Sequence, residues 1–238
     1  MKKFLIAAIA LVMCAGNAKA LDNEPEEGFT FMGIFGMNVS KLQNHEYNAK
    51  PGATMGARVD YVLPYAHGTY LTAGLDWTMK GGKKSLSRNI AGTDVDATAK
   101  YNLHYFEIPI RVGFRYNPLD NLGLFAEIGP YFAVGVGGKH KLSLDFDGEA
   151  ANELEDLNTY KAFKNYGYPV ETFQRWDAGI GFRVGAEYNQ HYNLMIGCDW
   201  GLADIYRDSY RDAYYQAWGM RLPKVKNFNF SITIGYRF

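Results

Sequence analysis

The carboxy-terminal stretch alternates strictly: Phe228, Phe230, Ile232, Ile234, Tyr236 and Phe238 are interleaved with Asn229, Ser231, Thr233, Gly235 and Arg237. A period of two marks a β-strand with two unlike faces, and about eleven residues is what a tilted strand needs to cross a bilayer. The segment from Trp176 behaves likewise. Ala178, Ile180, Phe182, Val184, Ala186 and Tyr188 form its oily face, with Asp177, Gly179, Gly181, Arg183, Gly185 and Glu187 opposite.

Six further segments follow the same rule. In Leu122 to Gly137, Leu124, Ile128, Phe132 and Val134 alternate with Phe125, Glu127, Gly129 and Tyr131. In Leu103 to Asn117, Phe106, Ile108, Ile110 and Val112 alternate with Glu107, Pro109, Arg111 and Gly113, followed by Arg115. The segments from Ala53, Thr69 and Tyr192 repeat the pattern, and Phe29 to Val39 shows it least, because both of its faces carry apolar residues. The pattern predicts eight strands.

The connections sort by length. Ser40–Pro51, Gly81–Lys100, Lys139–Phe173 and Tyr206–Lys226 are long, while Pro64–Gly68, Pro118–Asn121 and Asn189–His191 are short, and the two kinds alternate. Such sorting predicts an all-β fold, an eight-stranded antiparallel up-and-down transmembrane β-barrel with turns at one end and loops at the other. A soluble β-sandwich has no reason to sort its connections this way. The polar faces then line the lumen, which collects Arg58, Lys80, Arg111, Arg115, Arg183 and Arg237 with Asp60, Asp76, Glu107, Glu127, Asp177, Glu187 and Asp199. An eight-stranded barrel is just wide enough for side chains to fill, so charges of both signs predict a salt-bridged, plugged interior rather than an open pore. Tyr61, Trp77, Tyr116, Trp176, Tyr188, Tyr192 and Trp200 fall near strand ends, where aromatic girdles form.

Composition changes the picture at three points. Residues 1–20 read as a secretory leader: Lys2 and Lys3, the apolar run Phe4 to Met13, and the Ala18-Lys19-Ala20 cleavage site, leaving a barrel over residues 21–238. A lipoprotein leader acylated at Cys14 is the alternative, opposed by Met13 where a small residue is needed. Loss of Lys2, Lys3 and Lys19 leaves the mature chain 22 basic against 25 acidic residues, a mildly acidic balance without the basic footprint of a nucleic-acid binder. Of the two cysteines only Cys198 lies beyond the leader, so no internal disulfide is expected.

No phosphate-binding loop, dinucleotide fingerprint, zinc-protease or nucleophile-elbow motif occurs. The reading assigns no catalytic residue, cofactor or metal. Two other chemistries are open to these residues. His45, His104 and His140 with Ser40, Ser143, Asp145 and Asp147 could furnish a lipid-modifying or proteolytic site at the rim; solvated loop residues are the plainer account. Asp145, Asp147, Glu149, Glu153, Glu155 and Asp156 could hold calcium, but the EF-hand spacing is incomplete and a hydrated acidic loop is the plainer account. The same loop carries Tyr160, Phe163, Tyr166, Tyr168 and Phe173 and suits a recognition surface.

Two resemblances complete the reading. Tyr236-Arg237-Phe238 resembles the carboxy-terminal signal, with terminal Phe, that the barrel-assembly machinery recognises. Tyr105-Phe106-Glu107-Ile108-Pro109-Ile110 resembles the Y-L-E-I-P-L strand of the PorT-like outer-membrane β-barrel family of Bacteroidota, with Phe106 in place of Leu. The resemblance implies residence in the outer membrane of a Gram-negative bacterium and contact with outer-membrane lipid, and it brings no catalytic or binding residues with it. The expected function is a non-enzymatic envelope barrel with a structural or interaction role through its long loops, engaging an extracellular ligand or, as an accessory, secretion-system proteins.

Overall fold

The computed structural model describes residues 28–43, 48–64, 66–90, 93–146, 149–150, 159–163 and 173–238. The leader with Ala18 and Ala20, His45, Asp147, Glu153, Glu155, Asp156, Tyr166 and Tyr168 lie outside the described residues.

The strands are β1 (Gly28–Leu42), β2 (Lys50–Val62), β3 (Thr69–Ile90), β4 (Thr93–Leu119), β5 (Leu122–Phe146), β6 (Glu149–Ala150), β7 (Thr159–Lys161), β8 (Trp176–Tyr188), β9 (Tyr192–Gly201) and β10 (Asn227–Arg237), with a helix α1 (Asp208–Trp218) before the last. Eight of them form a ring in the order β4-β3-β2-β1-β10-β9-β8-β5, closed by the β4–β5 ladder. All pairings are antiparallel, and β6 and β7 add to the edge of β5 beyond the ring. Closure runs through first and last strands, from Met32 opposite Arg237 to Leu42 opposite Asn227. Full closure removes the sheet edges, so backbone groups are paired within the wall.

The faces follow the alternation. Phe35, Leu75, Ile108, Phe132, Leu194 and Ile232 point outward and are about half exposed, whereas Asp76, Glu107, Arg111, Asp199 and Ser231 point inward and are buried. A continuous exposed apolar belt of this size is untenable in water and natural in lipid. In β1 the two apolar faces resolve into Phe31, Phe35 and Met37 outside and Met32 and Ile34 inside, where they pack with Val62, Tyr70, Phe125 and Met195. The periodicity was weak there because a lumen pocket, not lipid, takes the second apolar set.

The connections correct the sequence reading. Gly81–Lys100 is not a loop: β3 and β4 stay paired from Lys83 opposite Lys100 to Ile90 opposite Thr93. Nor is the start of Lys139–Phe173, since β5 pairs with β4 as far as Phe146 opposite Val95. A three-stranded extension of β3, β4 and β5 therefore rises past the apolar belt. Leu142, Leu144 and Phe146 alternate with Lys141, Ser143 and Asp145 and stand opposite Ala99, Ala97 and Val95 in the register. β3 offers only Leu86 and Ile90 among polar residues, so the period-two signal beyond the belt is short. A ladder once started adds backbone hydrogen bonds at each residue. Within Tyr206–Lys226, α1 ends at Gly219, whose left-handed φ of 66° lets its N–H donate to the Tyr215 carbonyl at 2.8 Å. Among the described residues no helix is long and apolar enough to cross a membrane.

Candidate functional site

The short-turn end is tightly made. Asn189 and Gln190 adopt consecutive left-handed conformations (φ 49° and 60°), which reverse the chain between Tyr188 and Tyr192, themselves paired. Alternation from these turns inward sets which side chains enter the lumen.

The thirteen charged residues that alternation directs inward are all 5% exposed or less. They meet in three tiers along the barrel. Nearest the short turns, Arg237 approaches Asp60 at 2.9 Å and Glu187 at 3.0 Å, and Arg115 approaches the same two carboxylates at 3.5 and 3.8 Å. In the middle, Arg58 lies 3.0 Å from Asp76 and 4.0 Å from Glu127, while Arg183 and Arg111 share Asp199 at 3.4 and 3.5 Å. Toward the long loops, Lys80 sits between Glu107 at 2.5 Å and Asp177 at 3.2 Å, its ammonium 4.3 Å from the Tyr131 ring centroid.

These contacts cross the ring rather than follow one ladder. Arg111 on β4 reaches Asp199 on β9, and Arg58 on β2 reaches the Met195 sulfur on β9 at 3.7 Å. Buried charges are tolerable only when paired and hydrogen-bonded, so the tiers are held as units. Residues that sequence reasoning did not assign to the set complete them: Tyr70 donates to Glu127 at 2.8 Å, Tyr131 to Asp177 at 3.3 Å, Asn227 to Asp177 at 2.9 Å and Asn229 to Asp199 at 3.4 Å. Their positions on the inward faces were legible, but a neutral Tyr or Asn carries no charge to draw attention. Gly113 makes room for one of them, because a Cβ there would lie 2.3 Å from Tyr70 Cζ.

Above the upper tier the lumen turns apolar. Leu42, Leu103, Tyr105, Phe163, Phe173, Ile205 and Val225 form one buried cluster at the mouth. Phe163 contacts Tyr105 edge-on at 6.0 Å, and Phe173 stacks on Tyr206 at 5.7 Å. Asp204 ties the overlying segment together by accepting from the N–H groups of Tyr206 and Val225 at 3.2 and 3.1 Å and pairing with Arg211.

Among the described residues the candidate rim groups do not converge on one site. Ser40 is buried inside and donates to the Gly81 carbonyl at 3.2 Å, His104 stacks on Trp77 at 5.4 Å, and His140 stacks on Tyr101 at 4.5 Å. Among the described residues no group of three or more His, Cys, Asp or Glu side chains could hold a metal ion. Of the aromatic set, Trp176 and Tyr192 are the most exposed, and Tyr61 packs against Phe29 at 4.7 Å. Tyr236 stacks on His191 at 5.5 Å, and the Phe238 N–H donates to the Phe31 carbonyl at 2.9 Å while its ring stays exposed.

A closed eight-stranded barrel with an oily exterior and a polar interior defines a class, the outer-membrane β-barrels. The chain belongs to the outer membrane protein beta-barrel domain family, whose model matches residues 22–207. Its place is accordingly the outer membrane of a Gram-negative bacterium. Similar solved structures include the attachment invasion locus protein Ail of Yersinia pestis, at 13% identity and a TM-score of 0.39 over 90% of this chain and 100% of that one. Neisserial surface protein A is similar at 11% identity and a TM-score of 0.43 over 89% and 100%. OprG of Pseudomonas aeruginosa is similar at 11% identity and a TM-score of 0.41 over 91% and 98%. No curated protein matches the chain.

Proposed function

We propose that this protein is a non-enzymatic envelope barrel whose lumen is plugged by its own side chains and whose role is structural or interactive, exercised at the extracellular side. The observation that carries this reading is the set of ion pairs across the ring, above all Lys80 held between Glu107 and Asp177 beneath the apolar cluster at the mouth. A conducting path would have to break pairs whose separate members are costly to leave buried alone. The extension of β3, β4 and β5 and the segments after it supply the surface for an extracellular ligand, since loops and extensions on a rigid scaffold are where recognition resides.

The strand Tyr105–Ile110 supports the narrower placement among PorT-like barrels, with Glu107 and Pro109 inward and Phe106, Ile108 and Ile110 toward lipid. The terminal Tyr236 and Phe238 support recognition by the barrel-assembly machinery. Planar-bilayer recording tests the closed lumen: the inserted protein should give no steady conductance, and a stable open channel would overturn the plug.

A further inference from the structure

We propose that the outer wall of β4, β5 and β7, at the extracellular edge of the apolar belt, binds a phosphorylated lipid of the outer leaflet. This adds a ligand class to the interaction role above and rests on the membrane placement of the barrel, not on its closed lumen.

The register gathers cations on this wall. Lys139 on β5 stands opposite Lys161 on β7, and one ladder step outward Lys83, Lys100 and Lys141 stand opposite one another across β3, β4 and β5. Like charges directly opposite on a sheet destabilise it, and an anion set between Lys139 and Lys161 would relieve that cost. Among the described residues no carboxylate pairs with Lys83, Lys100, Lys139 or Lys161, and Arg175 donates to the Phe163 carbonyl at 3.0 Å. The acidic register pair on these strands, Asp96 opposite Asp145, lies four residues farther from the membrane than Lys100 opposite Lys141.

Of these cations Lys139, Lys161 and Arg175 line a cleft of about 400 Å³, together with His104, Gly137 and Gly138. Its floor is backbone. Gly137 has open space where a Cβ would stand, and Gly138, at φ 147°, lies so close to β4 that a Cβ would be 2.2 Å from the Asn102 carbonyl oxygen. Below the cleft the wall is exposed and oily, with Phe106, Phe132, Val136 and Trp176 outward. From Val136 to Lys139 is three residues, about 10 Å along the strand, so acyl chains and a headgroup phosphate would be met at their respective depths. A soluble anion would have no use for the oily half of this surface, and this favours a lipid.

The test uses native mass spectrometry on the full protein in detergent with a phosphorylated lipid A, its dephosphorylated counterpart and a sulfated polysaccharide. The phosphorylated lipid should bind about tenfold or more tightly than the dephosphorylated one, and Lys139→Gln/Lys161→Gln/Arg175→Gln should abolish that preference. Lys224→Gln, in the segment after α1, should leave it intact. A heat-dependent gel shift reports folding, and Lys139→Gln alone, at an exposed site, serves if the triple variant loses the shift. Equal binding of both lipids, an unaltered preference in the folded variant, or preferential capture of the polysaccharide would each overturn the proposal.

Discussion

Lys80 on β3 and Asp177 on β8, 97 residues apart in the chain, meet at 3.2 Å across the lumen, and Glu107 on β4 holds the same ammonium from the side. Removing the cation alone strands two buried carboxylates. Lys80→Met should therefore cost about 3–5 kcal/mol in denaturant unfolding from detergent, while Lys80→Met with Glu107→Gln and Asp177→Asn should recover most of that loss. Equal stability of the single variant and the wild type would show that the tier is hydrated rather than closed.

The orientation of the wall is tested at Ile196, an outward residue on β9 paired with Ile232 and Val184. In a bilayer Ile196→Arg should destabilise by about 2–4 kcal/mol, as lipid-facing arginine does near the midplane. Were the faces reversed, the same change on a watery surface would be nearly neutral. Unfolding titrations in lipid vesicles distinguish the two.

His140 lies beyond the apolar belt, stacked on Tyr101, and burial holds its imidazole below the ordinary 6.5. A lowered folded value means that the neutral ring is favoured in the folded state, so its contribution is complete above pH 6.5 and is lost as pH falls below it. Thermal unfolding of the extracellular extension should drop on acidification from pH 7.5 to 5. His140→Gln should flatten that part of the profile, and an identical slope in the variant would remove His140 as its source.

Phe238 contributes modest packing to the folded wall: the residue is 77% exposed, its ring meets Tyr236 edge-on at 5.2 Å, and its N–H donates to the Phe31 carbonyl. Phe238→Ala should leave the stability of refolded protein within about 1 kcal/mol of wild type. In cells the same variant should accumulate less in the outer membrane. A defect in cells without a defect in stability would isolate recognition during assembly, and normal accumulation would remove Phe238 from that role.

The eight strands and their inward and outward faces were legible in the chain, because lipid on one side and a polar lumen on the other impose a period of two on every spanning residue. Asp177 and Glu187 could be placed inside from that period alone, without knowledge of their partners. The extension of β3, β4 and β5 carried only a weak signal, since its apolar positions, Leu86, Val95, Leu142, Leu144 and Phe146, are few and interspersed with small and polar residues. Which cation meets which carboxylate was decided by closure of the ring: only the stagger between strands brings Lys80 to Asp177 and Arg237 to Asp60. The apolar cluster of Phe163, Phe173 and Val225 likewise draws single residues from distant connections. Local pattern records the solvent that each residue faces; contacts across a lumen depend on the curvature of the whole sheet, which no short stretch of sequence contains.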